Sequence, residues 1–183
     1  PDSKLLGLSN PYDPVERKGI NFFIDYSLYN RKYYLYWGPI PAFILMVVDP
    51  FTHGRVGDLY LVFNFVCGIF LLQFLLIINI WDRFFRDLPK WILPLSIAVA
   101  GLITPWTYML INEPNGRIYE AAIAGAQFFL LGGFLIAVLA FQQTVPSSFM
   151  LTLTGFLWAL AIGTRLVLAA PIGFMVFMIA HRI

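Results

Sequence analysis

The sequence predicts an all-α, polytopic membrane protein with five transmembrane helices and an N-terminal interfacial segment. Hydrophobic residues make up 60% of the 183 residues and charged residues only 12%, whereas soluble domains average about 45–50% and about 25%. So much apolar surface cannot be solvated as a globule, which argues against a soluble domain or a disordered chain. The net charge of +2 provides no broad basic field, so nucleic acid is not an expected partner.

Five apolar stretches approach or exceed the length needed to cross a bilayer, which is about 20 residues at 1.5 Å each. They lie at about 33–48, 59–80, 91–111, 121–141 and 149–170. The last stretch stays apolar to Ala180, and we expect Pro171 to divide it into a span and a short tail that bends or lies at the interface. β structure is not expected, because period-2 alternation is absent and backbone in lipid needs helices or a closed barrel.

The chain divides into an N-terminal arm, residues 1–32, and a single transmembrane helical bundle, residues 33–183. The arm contains prolines and charges and then becomes rich in aromatic residues, which favour the lipid headgroup layer. Over about 15–30 we expect a short interfacial helix. The alternative is an extended arm that lies on the protein or on a neighbouring subunit.

The distribution of Lys and Arg predicts the orientation in the membrane. Eight basic residues lie in the N-terminal segment and in the loop between spans two and three, and three lie in the outer loops and at the C-terminus. The positive-inside rule then places the N-terminus on the cytoplasmic, or insertion, side and the C-terminus on the opposite side.

The two loops on the outer side share a motif: an acid and proline, a short gap, Gly-Arg, two residues and a second acid. It occupies residues 49–58 and 113–120, with the Gly-Arg pairs 62 residues apart. This is consistent with a parallel repeat of two helical hairpins. A local account is also open: proline ends the outgoing helix, and Asp58 and Glu120 begin spans two and four, where a carboxylate favours the helix dipole.

Arg165 is the one charged residue inside an apolar stretch. An arginine at the centre of a transmembrane helix costs at least about 2.5 kcal/mol. Arg165 lies about 24 Å along span five, near the outer interface, where it can extend toward water. Because Asp58 and Glu120 open their spans at the same level, these three residues are the candidate catalytic and ligand-binding cluster.

Neutral polar and aromatic residues lie slightly deeper and complete the candidate ligand-binding set: Asn64, Gln127, Trp106 and Tyr108. With the charged cluster above them they predict an outward-facing polar pocket. The alternative is that they hold the bundle together by interhelical hydrogen bonds. With two histidines and a single cysteine, neither a metal site nor a cofactor is evident, and Cys67 is expected to be a packed small hydrophobe.

The packing pattern differs between spans. Spans four and five are rich in Gly and Ala, which let helices approach closely, so we expect them to pack together. Span two carries bulky side chains, with Phe63 and Phe74 among them, and these are expected to contact the core, lipid or a partner.

Residues 119–168 contain an apolar helix with Gly132-Gly133, a short loop, and a helix with Gly163-Thr164-Arg165. This arrangement resembles the small DoxX-like membrane proteins, which are compact four-helix bundles. The resemblance implies a bundle and implies little about chemistry, because members of that group vary in role. The aromatic N-terminal arm and the fifth span depart from it.

Three functions are open from the sequence. The first is a non-catalytic, structural or accessory membrane subunit of a larger complex, for example an energy-converting one, with other membrane subunits and the lipid bilayer as partners. The second is a small membrane enzyme or binder for a lipophilic molecule (a quinone, an isoprenoid or a sterol-like compound), with Asp58 or Glu120 as acid or base. The third is a transporter, which the repeated hairpins favour.

Overall fold

The computed structural model describes residues 3–20, 27–34, 38–52, 56–103 and 118–182. The chain forms two compact units, Pro1–Trp37 and Gly38–Ile183.

The N-terminal unit contains a short helix and a β-hairpin. Helix α1 is Ser3–Leu6, and strand β1, Ser27–Tyr29, pairs antiparallel with strand β2, Lys32–Tyr34. Asn30 and Arg31 both have positive φ, 47° and 61°, as the two central residues of a type I′ turn require. The expected interfacial helix over 15–30 is therefore wrong for the described residues 15–20 and 27–30, where turns and a strand occur, and β structure is present where none was expected.

Every regular element of the second unit, among its described residues, is a helix. Its elements are α2 (Ile40–Thr52), α3 (Asp58–Phe84), α4 (Ile92–Ile103), α5 (Ile118–Ala140), α6 (Ser148–Thr164), a 3-10 turn (Leu166–Leu168) and α7 (Ala169–Arg182). Helices α3 and α5 are long and apolar enough to cross a membrane, and the other apolar helices here are 10–17 residues long. A full crossing takes about 20 residues, so the five-span count stays a prediction.

Helices α3 and α5 pack in parallel and form the centre of the unit. The face of α3 that contains Phe65 and Ile69 is buried against α5. Gly125 lies against the Phe65 ring, and Gly68 lies against the Phe128 ring three residues further along both helices. Both helices therefore begin at the same end of the bundle, as a parallel repeat requires, although duplication itself stays a prediction.

Helices α5 and α6 form a close antiparallel pair, in agreement with the small residues in both. Gly132 faces Leu157, and Gly133 faces the indole of Trp158, so large side chains on α6 fill the space above the glycines of α5. On α6 itself, Ala161 is fully buried. The other small residues of α6 do not all face inward: Gly155 and Ala159 are exposed.

The fifth apolar stretch breaks at Arg165 rather than at Pro171. Arg165 is extended, with φ −144° and ψ 110°, and ends α6. The carbonyl of Thr164 accepts a 3.0 Å hydrogen bond from the backbone N–H of Gly38 at the start of α2. Pro171 instead lies in the first turn of α7, where its missing N–H has no helical partner to lose.

Helix α7 turns back along the bundle after this break, so the tail bends and does not lie at the interface. Ile172 belongs to the same buried core as Trp158 and Ala161. Further along α7, Met178 lines a cavity together with Arg83, which lies at the far end of α3. The described C-terminal residues therefore lie toward the end of the bundle where α3 ends. Which membrane face that is stays a prediction.

Two local expectations are corrected by the structure. Helix α2 continues through Asp49 and Pro50 to Thr52, although proline removes one helical hydrogen bond and its ring crowds the carbonyl four residues earlier. Cys67 is exposed rather than packed: it lies on the side of α3 that faces away from α5.

Candidate functional site

Glu120 is a buried carboxylate near the start of α5. It is 8% exposed, and its Oε2 atom is buried with no hydrogen-bond partner among the residues that the structure describes. A buried polar group left unsatisfied costs about 1–3 kcal/mol, and a charged one more. Its place in the first helical turn offsets part of that cost through the positive end of the helix dipole. Glu120 therefore offers an open oxygen to a proton or to a hydrogen-bond donor.

Arg165 extends from the end of α6 toward the start of α5. Its Cζ atom lies 5.5 Å from the centroid of the Tyr119 ring, within the distance at which a guanidinium is attracted to an aromatic face. Tyr119 directly precedes Glu120, so Arg165 and the buried carboxylate lie at the same end of the bundle. Tyr119 was not among the residues predicted from the sequence. An aromatic residue beside an acid at the start of a helix could have indicated its place in this cluster.

Asp58 begins α3 at that same end and is half-buried. The structure thus brings the three predicted residues to one end of the bundle. It does not join them directly: in the described ranges no ion pair connects Arg165 to Asp58 or to Glu120.

Two of the four neutral residues of the predicted pocket, Asn64 and Gln127, lie in the described helices. Asn64 is exposed, and its Nδ2 donates a 2.7 Å hydrogen bond to the carbonyl of Tyr60 one turn earlier on α3. Gln127 is half-buried on α5. Trp106 and Tyr108 lie outside the described residues. Asn64 therefore faces away from the core, and its place in a ligand pocket stays a prediction.

A buried hydroxyl was also missed by the sequence analysis. Thr154 on α6 is 3% exposed, and its Oγ1 has no hydrogen-bond partner within the described part of the chain. Threonine in an apolar helix gives no sequence signal of which way it faces. Across the described residues, no group of three or more His, Cys, Asp or Glu side chains could hold a metal ion.

Comparison with known proteins adds no family assignment. No protein-family model, curated protein or solved structure matches this chain. The resemblance to DoxX-like proteins over residues 119–168 stays a prediction.

Proposed function

We propose that this protein is a non-catalytic integral membrane subunit that binds a transmembrane helix of a partner through the exposed face of α3. Along that face, Asn64 and the exposed residues that follow it are spaced by three and four residues, and Phe63 lies beside Asn64. The members of the face are Phe63, Asn64, Cys67, Leu71 and Phe74, and all of them are exposed. Residues at these spacings lie on one side of an α-helix, so the chain presents a continuous bulky surface about 16 Å long.

Asn64 is the observation that carries the proposal. Its only hydrogen bond, within the described residues, is the one to Tyr60 of the same helix turn, which leaves its Oδ1 unpaired. An amide on the outer face of an apolar helix has no partner in lipid, and such residues in transmembrane helices form hydrogen bonds across helix–helix contacts. A partner helix that packs on this face would satisfy Asn64 and cover the phenylalanine side chains beside it.

The helix directions support the proposed membrane arrangement. Helices α3 and α5 run in the same direction, and α4 lies between them in the chain. Helix α6 then crosses antiparallel to α5. The first proposed span, residues 33–48, overlaps α2, which is 13 residues long. With the N-terminus on the insertion side, the face of α3 would lie within the bilayer, where a partner subunit can reach it.

Co-purification from native membranes in mild detergent tests this proposal. We expect a tagged full-length chain to retain a stoichiometric membrane partner. Asn64→Leu should reduce its recovery about three- to tenfold, the effect of losing one interhelical hydrogen bond. Thr152→Leu is the matched control, because Thr152 is also exposed and bonded to its own helix, at 2.9 Å from the Ser148 carbonyl. Equal recovery with both variants would contradict the role of Asn64.

Cys67 provides a second and independent readout. As the single cysteine of the chain, it can carry a maleimide-linked photo-crosslinker in native membranes. We expect one protein adduct of defined mass. Adducts with lipid alone would show that this face of α3 contacts the bilayer, and the proposed interface would then be abandoned.

A second candidate function, a binder for a lipophilic molecule, is favoured by the unpaired Oε2 of Glu120. The quinol form of a quinone, or an isoprenoid or sterol-like ligand with a hydroxyl group, could donate a hydrogen bond there, near Arg165, while its apolar body lies among the helices. Glu120→Gln should then reduce the ligand extracted with the purified protein, whereas Asp58→Asn, at the same end of the bundle, should not. An unchanged extract from Glu120→Gln would remove this candidate.

A further inference from the structure

We infer that the end of the bundle opposite Glu120 binds an anionic phospholipid, with one acyl chain in an apolar cavity and the phosphate at Arg83 and Arg86. This site is separate from the proposed partner-binding face of α3, and none of the residues predicted from the sequence belongs to it.

The apolar half of the site is a cavity of about 530 Å³ between α7 and the ends of α3 and α5. This volume lies within the range of about 300–1,000 Å³ that is typical of ligand pockets. The buried Trp158 also lines the cavity. Its indole N–H already donates a hydrogen bond to the Leu130 carbonyl, so a bound ligand need not provide an acceptor for it. Phe134, Phe174 and Met178 line the sides. Flexible methionine and aromatic side chains suit a hydrocarbon chain of variable shape.

The polar half is an adjoining recess of about 510 Å³ that is lined by Asn79, Asp82, Arg83, Arg86 and Gln142. Arg83 lines both spaces, so the apolar and polar halves adjoin at this residue. Within the recess, the Gln142 amide donates a 3.4 Å hydrogen bond to Asn79 Oδ1. The two amides therefore engage each other, and the arginines remain available to a ligand.

Charge complementarity identifies the headgroup. Two arginines and one aspartate give the recess a net positive charge. No ion pair ties Asp82 to Arg83 or Arg86 in the described part of the chain. The Arg83 guanidinium lies over the Phe84 ring, 5.7 Å from its centroid, which orients it without using its N–H donors. Two guanidinium groups with open donors match a phosphate, and a neutral or zwitterionic headgroup leaves their charge uncompensated.

Competitive lipid retention by the full-length chain tests this inference. The protein in micelles is mixed with equal amounts of phosphatidylglycerol and phosphatidylcholine with identical acyl chains, and bound lipid is counted by native mass spectrometry. We expect phosphatidylglycerol to be retained about tenfold over phosphatidylcholine, the effect of one or two charge-assisted hydrogen bonds. Equal retention by the wild-type chain would overturn the inference without any substitution.

Two pairs of variants examine the two halves of the site. Arg83→Gln with Arg86→Gln should bring the ratio of the two lipids to about one, whereas Lys90→Gln, an exposed cation nearby that lines neither space, should leave it at about ten. Ala137→Phe, which fills the apolar cavity, should abolish retention of both lipids, whereas Ala159→Phe on the exposed side of α6 should not. The inference would be overturned if the arginine variant kept the wild-type ratio of phosphatidylglycerol to phosphatidylcholine, or if Ala137→Phe retained both lipids as the wild type does.

Discussion

The indole N–H of Trp158 donates a 3.3 Å hydrogen bond to the backbone carbonyl of Leu130, across the interface between α6 and α5. Trp158 is 3% exposed, and its ring occupies the space where a Cβ atom on Gly133 would lie. A helical carbonyl already accepts a bond within its own helix, so the indole is an additional donor to it. The glycine allows the ring to approach closely enough for that bond to form.

Gly133→Ala should therefore destabilise the bundle. The added methyl group overlaps a fully packed indole, and overpacking of this kind lowers the free energy of unfolding by about 1–3 kcal/mol. Gly155→Ala is the matched control, because the position that a Cβ atom on Gly155 of α6 would occupy is open space. The control should be neutral or stabilising by up to about 1 kcal/mol. Denaturant unfolding in micelles measures both, and equal stability of the two variants would contradict this packing.

The two longest helices were predictable because each is a continuous apolar run. The predicted spans 59–80 and 121–141 correspond to α3 and α5, which extend a few residues further at one or both ends. The direction in which each side chain faces was not predictable. Nearly every position of α3 is apolar, so the sequence does not mark one side as core, and Asn64 and Cys67 were placed inward although both are exposed.

The break in the last apolar stretch was also beyond the sequence. Proline is the usual sign of a helix end, which favoured Pro171, but proline is compatible with a first helical turn. The actual break at Arg165 accompanies a contact between distant segments. Gly38 lies directly against the Gly163 carbonyl, and its N–H bonds to Thr164. The sequence of residues 149–170 contains no sign that Gly38 contacts this segment.

The return of α7 makes a prediction about topology. Residues at the end of α7 should lie on the same side of the membrane as the loop after α3, in contrast to the opposite side expected from the sequence. The test uses a Cys67→Ser background and sealed vesicles whose outer surface is the side of the loop after α3. Lys90→Cys and His181→Cys should then react equally with a membrane-impermeant maleimide. Gly57→Cys, just before the opposite end of α3, should react only when the vesicles are opened. Opposite labelling of the first two positions would show that α7 does not return.

The contact between Arg165 and Tyr119 should be measurable as a coupling energy. A cation over an aromatic ring stabilises by about 0.5–2 kcal/mol, with larger values when the pair is shielded from water. A double-mutant cycle of Arg165→Gln and Tyr119→Leu should give a coupling of that size in the free energy of unfolding. The cycle of Arg165→Gln with Phe156→Leu, an exposed residue of α6, should be additive within about 0.5 kcal/mol. If both cycles gave the same coupling energy, that energy would not come from the Tyr119 ring.

The N-terminal unit should respond to acid through Glu16. A 2.7 Å hydrogen bond from the Ser9 hydroxyl and a 3.1 Å bond from the Asn10 backbone N–H hold the pKa of Glu16 below its ordinary value of 4.5. Because the folded pKa is depressed, the stabilising contribution is complete above pH 4.5 and is lost as the pH falls through the lower folded pKa. This contribution is local to the turn that links residues 9 and 16.

Two substitutions should move the pKa of Glu16 in opposite directions. Ser9→Ala removes the strongest stabilising donor and should raise the pKa toward 4.5, whereas Asp13→Asn removes a neighbouring negative charge and should lower it further. Asparagine keeps the side-chain oxygen that accepts the 2.7 Å bond from the Val15 N–H, so the turn itself is preserved. A pH titration of the Glu16 carboxyl carbon by NMR, on the full chain in micelles, measures both shifts. If Ser9→Ala leaves the midpoint unchanged, the Ser9 hydroxyl does not bond to this carboxylate in solution.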